Sequence, residues 1–150
     1  MSRFLFTTTM NFNTLFLTII IPTIVLSNPS FEQSKYASAG ILVGNCLTHG
    51  IKMRHGPFTH RDFTEIKLVN IPALVSVLMA DKALSTTHTT PSSWVKCAQY
   101  FFCGVALGSS AHVPIKYTFD SDNIDAADII TPSVITGASI LAAKMCALLE

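Results

Sequence analysis

The sequence predicts an all-α integral membrane protein, a four-helix bundle preceded by a signal peptide or signal-anchor helix. Three observations carry that expectation. Apolar residues make up 49% of the 150 positions and charged residues only 13%, about half the roughly 25% of a soluble domain. Mean hydropathy is +0.46. The apolar residues also come in blocks, Leu15 to Leu26, Tyr36 to Ile51, Ile66 to Ala80, Trp94 to Ala111 and Ile129 to Leu149, with nearly all charges between them or at their ends. A helix needs about 20 residues to cross a bilayer core. The last two blocks reach that length directly, and the second and third reach it by recruiting their flanks. A soluble helical bundle is the competing reading. Its helices would need charged faces, and these blocks have none.

Residues 1–27 read as a targeting segment. Arg3 supplies an early positive charge, Leu15 to Leu26 is a short apolar run, and Val25, Leu26 and Ser27 offer a cleavage site. An uncleaved first membrane helix fits the same pattern. Both place Asn28 on the non-cytoplasmic side, and residues 28–150 then form the membrane domain.

The four expected helices cover about residues 36–51, 62–84, 93–112 and 129–149. The first is dense in small residues, and Gly40 and Gly44 have the GxxxG spacing that lets another backbone approach closely. Gly104, Gly108 and Gly137 are expected to serve packing in the same way. Gly50, Gly56 and Pro57 break the chain. Thr59 is placed to cap the second helix with Asp62 three residues on, and Pro72 should kink that helix. Asn70 is then positioned to bond the freed backbone or a neighbouring helix. Ser92 or Ser93 caps the third helix. Trp94 and Tyr117 fall at expected interfaces, where amphipathic rings favour the headgroup level. An acidic loop from Pro114 to Asp128 leads to the last helix, with Pro132 in its first turn.

Lysine and arginine set the orientation. The first loop holds Lys52, Arg54 and Arg61, whereas the second has Lys82 and the third Lys116. The positive-inside rule therefore puts loop 52–61 in the cytoplasm and the C-terminus outside, in agreement with a signal sequence that leaves Asn28 outside.

This order of features resembles the four-helix membrane proteins called transmembrane protein 256 in animals and domain of unknown function 423 in bacteria. Ala39-Gly40 through Gly44 to His49-Gly50-Ile51 is similar to the family's small-residue helix ending in Ala-His-Gly-Leu. Gly104-Val105-Ala106-Leu107 leading into Ser109-Ser110 is similar to its Gly-x-x-Leu-Phe-Ser-Gly-Ser. Ile130-Thr131-Pro132 is similar to the Ile-Thr-Pro that opens its last helix. The likeness runs from about Lys35 to Leu149. The chain departs from the pattern at Asn70-Ile71-Pro72-Ala73-Leu74, which has no histidine, and at Val134-Ile135, where the family has Gly-Gly. The resemblance implies a membrane four-helix bundle and no established activity.

The residues themselves point to little chemistry. With net charge +1 and no basic cluster, nucleic acid is not an expected partner. Cys46, Cys97, Cys103 and Cys146 fall within helices and read as packing thiols. No phosphate loop, nucleophile-base set or paired carboxylates stand out, and no residue is assigned to a catalytic, cofactor or metal site. The leading expectation is a non-enzymatic structural or assembly component. Its partners would be the lipid bilayer and either a second copy or another membrane protein. A small transporter or channel lined by Asn45, His49, Asn70 and Gln99 is the alternative. A membrane metalloenzyme using His49, His55 and His60 is a weaker one, because spacings of six and five fit no compact helical ligand pair.

Overall fold

The computed structural model describes residues 30–54, 56–86, 92–119 and 124–149. The targeting segment expected over residues 1–27, and His55, lie outside them. Among the described residues the chain is entirely helical, with four long helices and a short one. These are α1 (Phe31–Lys52), α2 (His60–Thr86), α3 (Trp94–Ser110), α4 (His112–Phe119) and α5 (Ala126–Leu148).

Local hydrogen bonding explains where each helix begins. Ser30 and Gln33 form a capping box, which satisfies two otherwise orphaned groups and starts α1 at Phe31, well before the expected Tyr36. Thr59 and Asp62 do the same for α2: the Asp62 amide donates to Thr59 Oγ1 at 3.3 Å and the Thr59 amide to Asp62 Oδ2 at 2.8 Å. Ser93 caps α3, accepting from the Val95 amide.

Two expectations need correction at the C-terminal end. The region read as an acidic loop contains α4, because Ala111 keeps right-handed helical angles (φ −63°, ψ −24°) and the chain turns straight on into His112. Pro114 lies in the first turn of α4, where its missing N–H costs little. In addition, Asp125 and Asp128 form a further capping box. Helix α5 therefore starts at Ala126, and Pro132 stands in its second turn instead of its first.

The bundle is built around a parallel contact between α1 and α3. A Cβ added at Gly40 would lie 2.1 Å from the Phe101 carbonyl oxygen, and one at Gly44 would lie 2.2 Å from that of Val105. From the other side, a Cβ at Gly104 would lie 2.0 Å from the Ala37 oxygen and one at Gly108 would lie 2.1 Å from that of Ile41. The two GxxxG stretches thus interlock backbone to backbone, at a separation only glycine permits. The N-terminal ends of these helices are also tied, with Ser30 Oγ 2.9 Å from Ser92 Oγ and the Ser92 amide donating to Glu32 Oε2 at 2.7 Å. Among the described residues no atom lies within 4 Å of where a Cβ on Gly137 would sit, so they do not give it the packing role expected. Helix α2 packs antiparallel on α1, and α5 packs antiparallel on α3.

What the bundle buries is the reverse of an ordinary core. The buried apolar residues are small or medium-sized, such as Ala37, Ala73, Ala80, Val105 and Ala143, and beside them lie Asn45, His49, Asp62, Glu65, His112 and Asp128. Large apolar side chains point outward along α2 (Ile71, Leu74, Leu78, Met79) and α5 (Ile130, Val134, Leu141, Met145). Soluble proteins rarely bury acidic residues or expose continuous apolar faces. Among the described residues, Asp62–Thr86 and Ala126–Leu148 are long and apolar enough to cross a membrane. The other two long helices do not reach that standard. Helix α3 has 17 residues, and α1 carries Glu32, Lys35, His49 and Lys52.

Candidate functional site

Four elements bring ionisable side chains to one end of the bundle. On α1, Asn45, Thr48, His49 and Lys52 fall on one face at helical spacing. Near the start of α2, Asp62 and Glu65 share a face. His112 and Lys116 lie one turn apart on α4, and Asp128 sits in the first turn of α5. The alternating direction of the long helices makes these the C-terminal ends of α1 and α3 and the N-terminal ends of α2 and α5.

An ion-pair network forms the outer layer. Lys52 Nζ is 2.5 Å from Asp62 Oδ1 and 3.2 Å from Asp128 Oδ1. Lys116 Nζ is 3.6 Å from Asp128 Oδ2. Burial lowers the Lys52 pKa, but its bond to Asp62 and the charges of Asp128 and Asp62 more than offset this and lift it above the usual lysine range. Lys52 therefore stays charged and holds α1, α2 and α5 together.

Beneath this layer lie His49, Glu65 and His112, each no more than 2% exposed. His112 Nε2 is 3.2 Å from Asp128 Oδ1, within hydrogen-bond reach. Its Nδ1 is 3.3 Å from Glu65 Oε2, yet that pair lacks hydrogen-bond geometry, and neither atom has another bonding partner. The His49 ring stands edge-on to that of His112, with centroids 5.0 Å apart and planes at 89°. Both His49 nitrogens and both Glu65 oxygens are buried without a hydrogen-bond partner. His49 therefore does not donate to the last carbonyls of α1. The three residues offer donor atoms that all lie within 4.8 Å of one another.

A neutral polar layer continues below. Thr48 Oγ1 lies 2.9 Å from Ser109 Oγ, and Ser109 donates to the Pro132 carbonyl at 3.2 Å. One turn along α1, Asn45 Nδ2 donates to Asn70 Oδ1 at 3.0 Å. Asn70 thus bonds a neighbouring helix, one of its two expected roles.

The polar path expected from the sequence is brought together only in part. Asn45 and Asn70 pair, and His49 lies one turn further along α1. Gln99 stands apart: the glycine register places it level with the start of α1, about 20 Å from His49 at 1.5 Å of rise per residue. Of the loop histidines, His60 is exposed at the start of α2, away from buried His49. Among the residues that resemble the family motif, His49 and Pro132 are buried, while Gly50 and Ile130 are exposed.

The sequence reading missed Glu65, His112, Lys52 and Asp128 as partners of His49. A signal was available: each borders an apolar block, and alternating helices carry all of those borders to the same end. Comparison with protein-family models, curated proteins and solved structures found no match to this chain.

Proposed function

We propose that this chain is a multi-pass integral membrane protein of the transmembrane protein 256 type, acting as a structural or assembly component and not as an enzyme. The observation that carries this reading is the inverted distribution of side chains, small and polar within, large and apolar without. In water such a surface would favour aggregation. In lipid it is the expected one, since close helix packing there relies on small residues and interhelical hydrogen bonds. The interlocked glycines of α1 and α3 and the Asn45–Asn70 and Thr48–Ser109 bonds are contacts of that kind. The outward faces of α2 and α5 are left for lipid or for a partner helix, a second copy or another membrane protein. In this reading loop 52–61, with its Lys52, Arg54 and Arg61, is cytoplasmic and the C-terminus is not.

Alkaline carbonate extraction of membranes from cells expressing the full chain tests the reading. Retention in the pellet is expected. Release into the supernatant would mean that the apolar faces are covered by protein, and the reading would fall.

A further inference from the structure

His49, Glu65 and His112 come from three different helices, and His49, Glu65 and the Nδ1 of His112 find no hydrogen-bond partner among the described residues. We propose that they are the ligands of a divalent first-row transition ion, with zinc the best fit to the donor set. Two imidazoles and one carboxylate make an N2O set, which favours such ions over calcium or magnesium.

The geometry supports this at three points. First, Asp128 holds His112 Nε2 at 3.2 Å. A carboxylate on one ring nitrogen fixes the N–H there and leaves the other nitrogen's lone pair free for a metal. That other nitrogen, Nδ1, faces Glu65 Oε2 at 3.3 Å without hydrogen-bond geometry. A lone pair set against a carboxylate oxygen is an unfavourable contact, which a cation bound between the two would relieve. Second, ligands at zinc distances of about 2.0 to 2.2 Å and tetrahedral angles are about 3.3 to 3.6 Å apart, and this pair at 3.3 Å stands at the short end of that range. His49 has both nitrogens unpartnered, and one of them lies within 4.8 Å of the other two donor atoms. Third, the charges fit. Lys52 and Lys116 offset Asp62 and Asp128 in the outer layer, which leaves the Glu65 carboxylate for the ion. Three protein ligands leave a fourth position open, as in exchangeable or reactive sites and unlike closed structural ones. The site shares only His49 with the His49, His55 and His60 set that the sequence suggested.

The test uses the full chain in detergent, carrying a tag without histidine and stripped with a chelator. It is titrated with cobalt(II), followed by visible absorption, and then with zinc in competition. One equivalent per chain is expected, with the intense absorption of low-coordinate cobalt that zinc abolishes. Glu65→Gln, nearly isosteric, should lose saturable binding, and so should His49→Gln. Asp128→Asn should weaken binding by about 10- to 100-fold, the usual loss when a second-shell partner is removed. Replacing the other three of the five histidines, His55, His60 and His88, together should leave binding unchanged. Circular dichroism checks that each variant keeps its helices. Absence of stoichiometric binding by the helical wild-type protein would overturn the proposal. So would undiminished binding in Glu65→Gln and His49→Gln, or loss of binding in the triple histidine variant.

Discussion

Glycine and lysine make the sharpest demands at the level of single residues. A side chain at Gly104 would have to occupy the space of the Ala37 carbonyl oxygen, and backbone cannot move aside as a flexible side chain can. Gly104→Val should therefore destabilise the bundle by about 1 to 3 kcal/mol or more, the usual cost of overpacking. Gly137 has open space around it. Gly137→Ala should stabilise α5 by roughly 0.5 to 1 kcal/mol, because alanine restricts the unfolded chain and is a better helix former. Thermal unfolding in detergent, followed by circular dichroism, reads both, and equal effects would contradict the assigned packing. Lys52 makes the second demand. Lys52→Met leaves buried Asp62 and Asp128 short of a cation, and breaking such a pair costs about 3 to 5 kcal/mol. A loss below about 1 kcal/mol in the same assay would mean that the network is looser than its distances imply.

At the scale of helices, the contacts between α1 and its neighbours divide the work. Backbone contact joins α1 to α3, while side-chain hydrogen bonds join α1 to α2. A double-mutant cycle on Asn45 and Asn70 should give a coupling energy of about 0.6 kcal/mol and at most about 1.7 kcal/mol, the average and the maximum for such bonds between membrane helices. Additive effects would contradict a direct bond. Much at this scale was legible in the sequence. Apolar blocks located the long helices, and the Thr59–Asp62 and Ser93 caps were readable from residue type and spacing. Other features were not legible. The Ser30–Gln33 box lies outside the apolar block, so hydrophobicity gave no warning that α1 begins there. Helix α4 was hidden because Pro114 and the aspartates after it look like loop chemistry, although a proline in a first turn is compatible with helix.

For the molecule as a whole, the glycine pairing of α1 with α3 could be anticipated only as a tendency. A GxxxG spacing states that close approach is possible, and the partner is fixed by the fold. The buried cluster was the least legible feature. His49 attracted notice from the sequence, but Glu65 and His112 lie 16 and 63 positions further on and look like ordinary block borders. Only the alternating bundle, with α4 packed against α2 and α5, makes them neighbours. The outward faces of α2 and α5 carry the central claim, that they meet lipid. It is tested most directly by nitroxide labels at Leu74 and Leu141, in full chain reconstituted into vesicles and lacking its native cysteines. Collisions with oxygen, which concentrates in the bilayer, should dominate over those with a water-soluble nickel chelate at both positions. Dominant collisions with the chelate would place these faces in water and contradict the membrane reading.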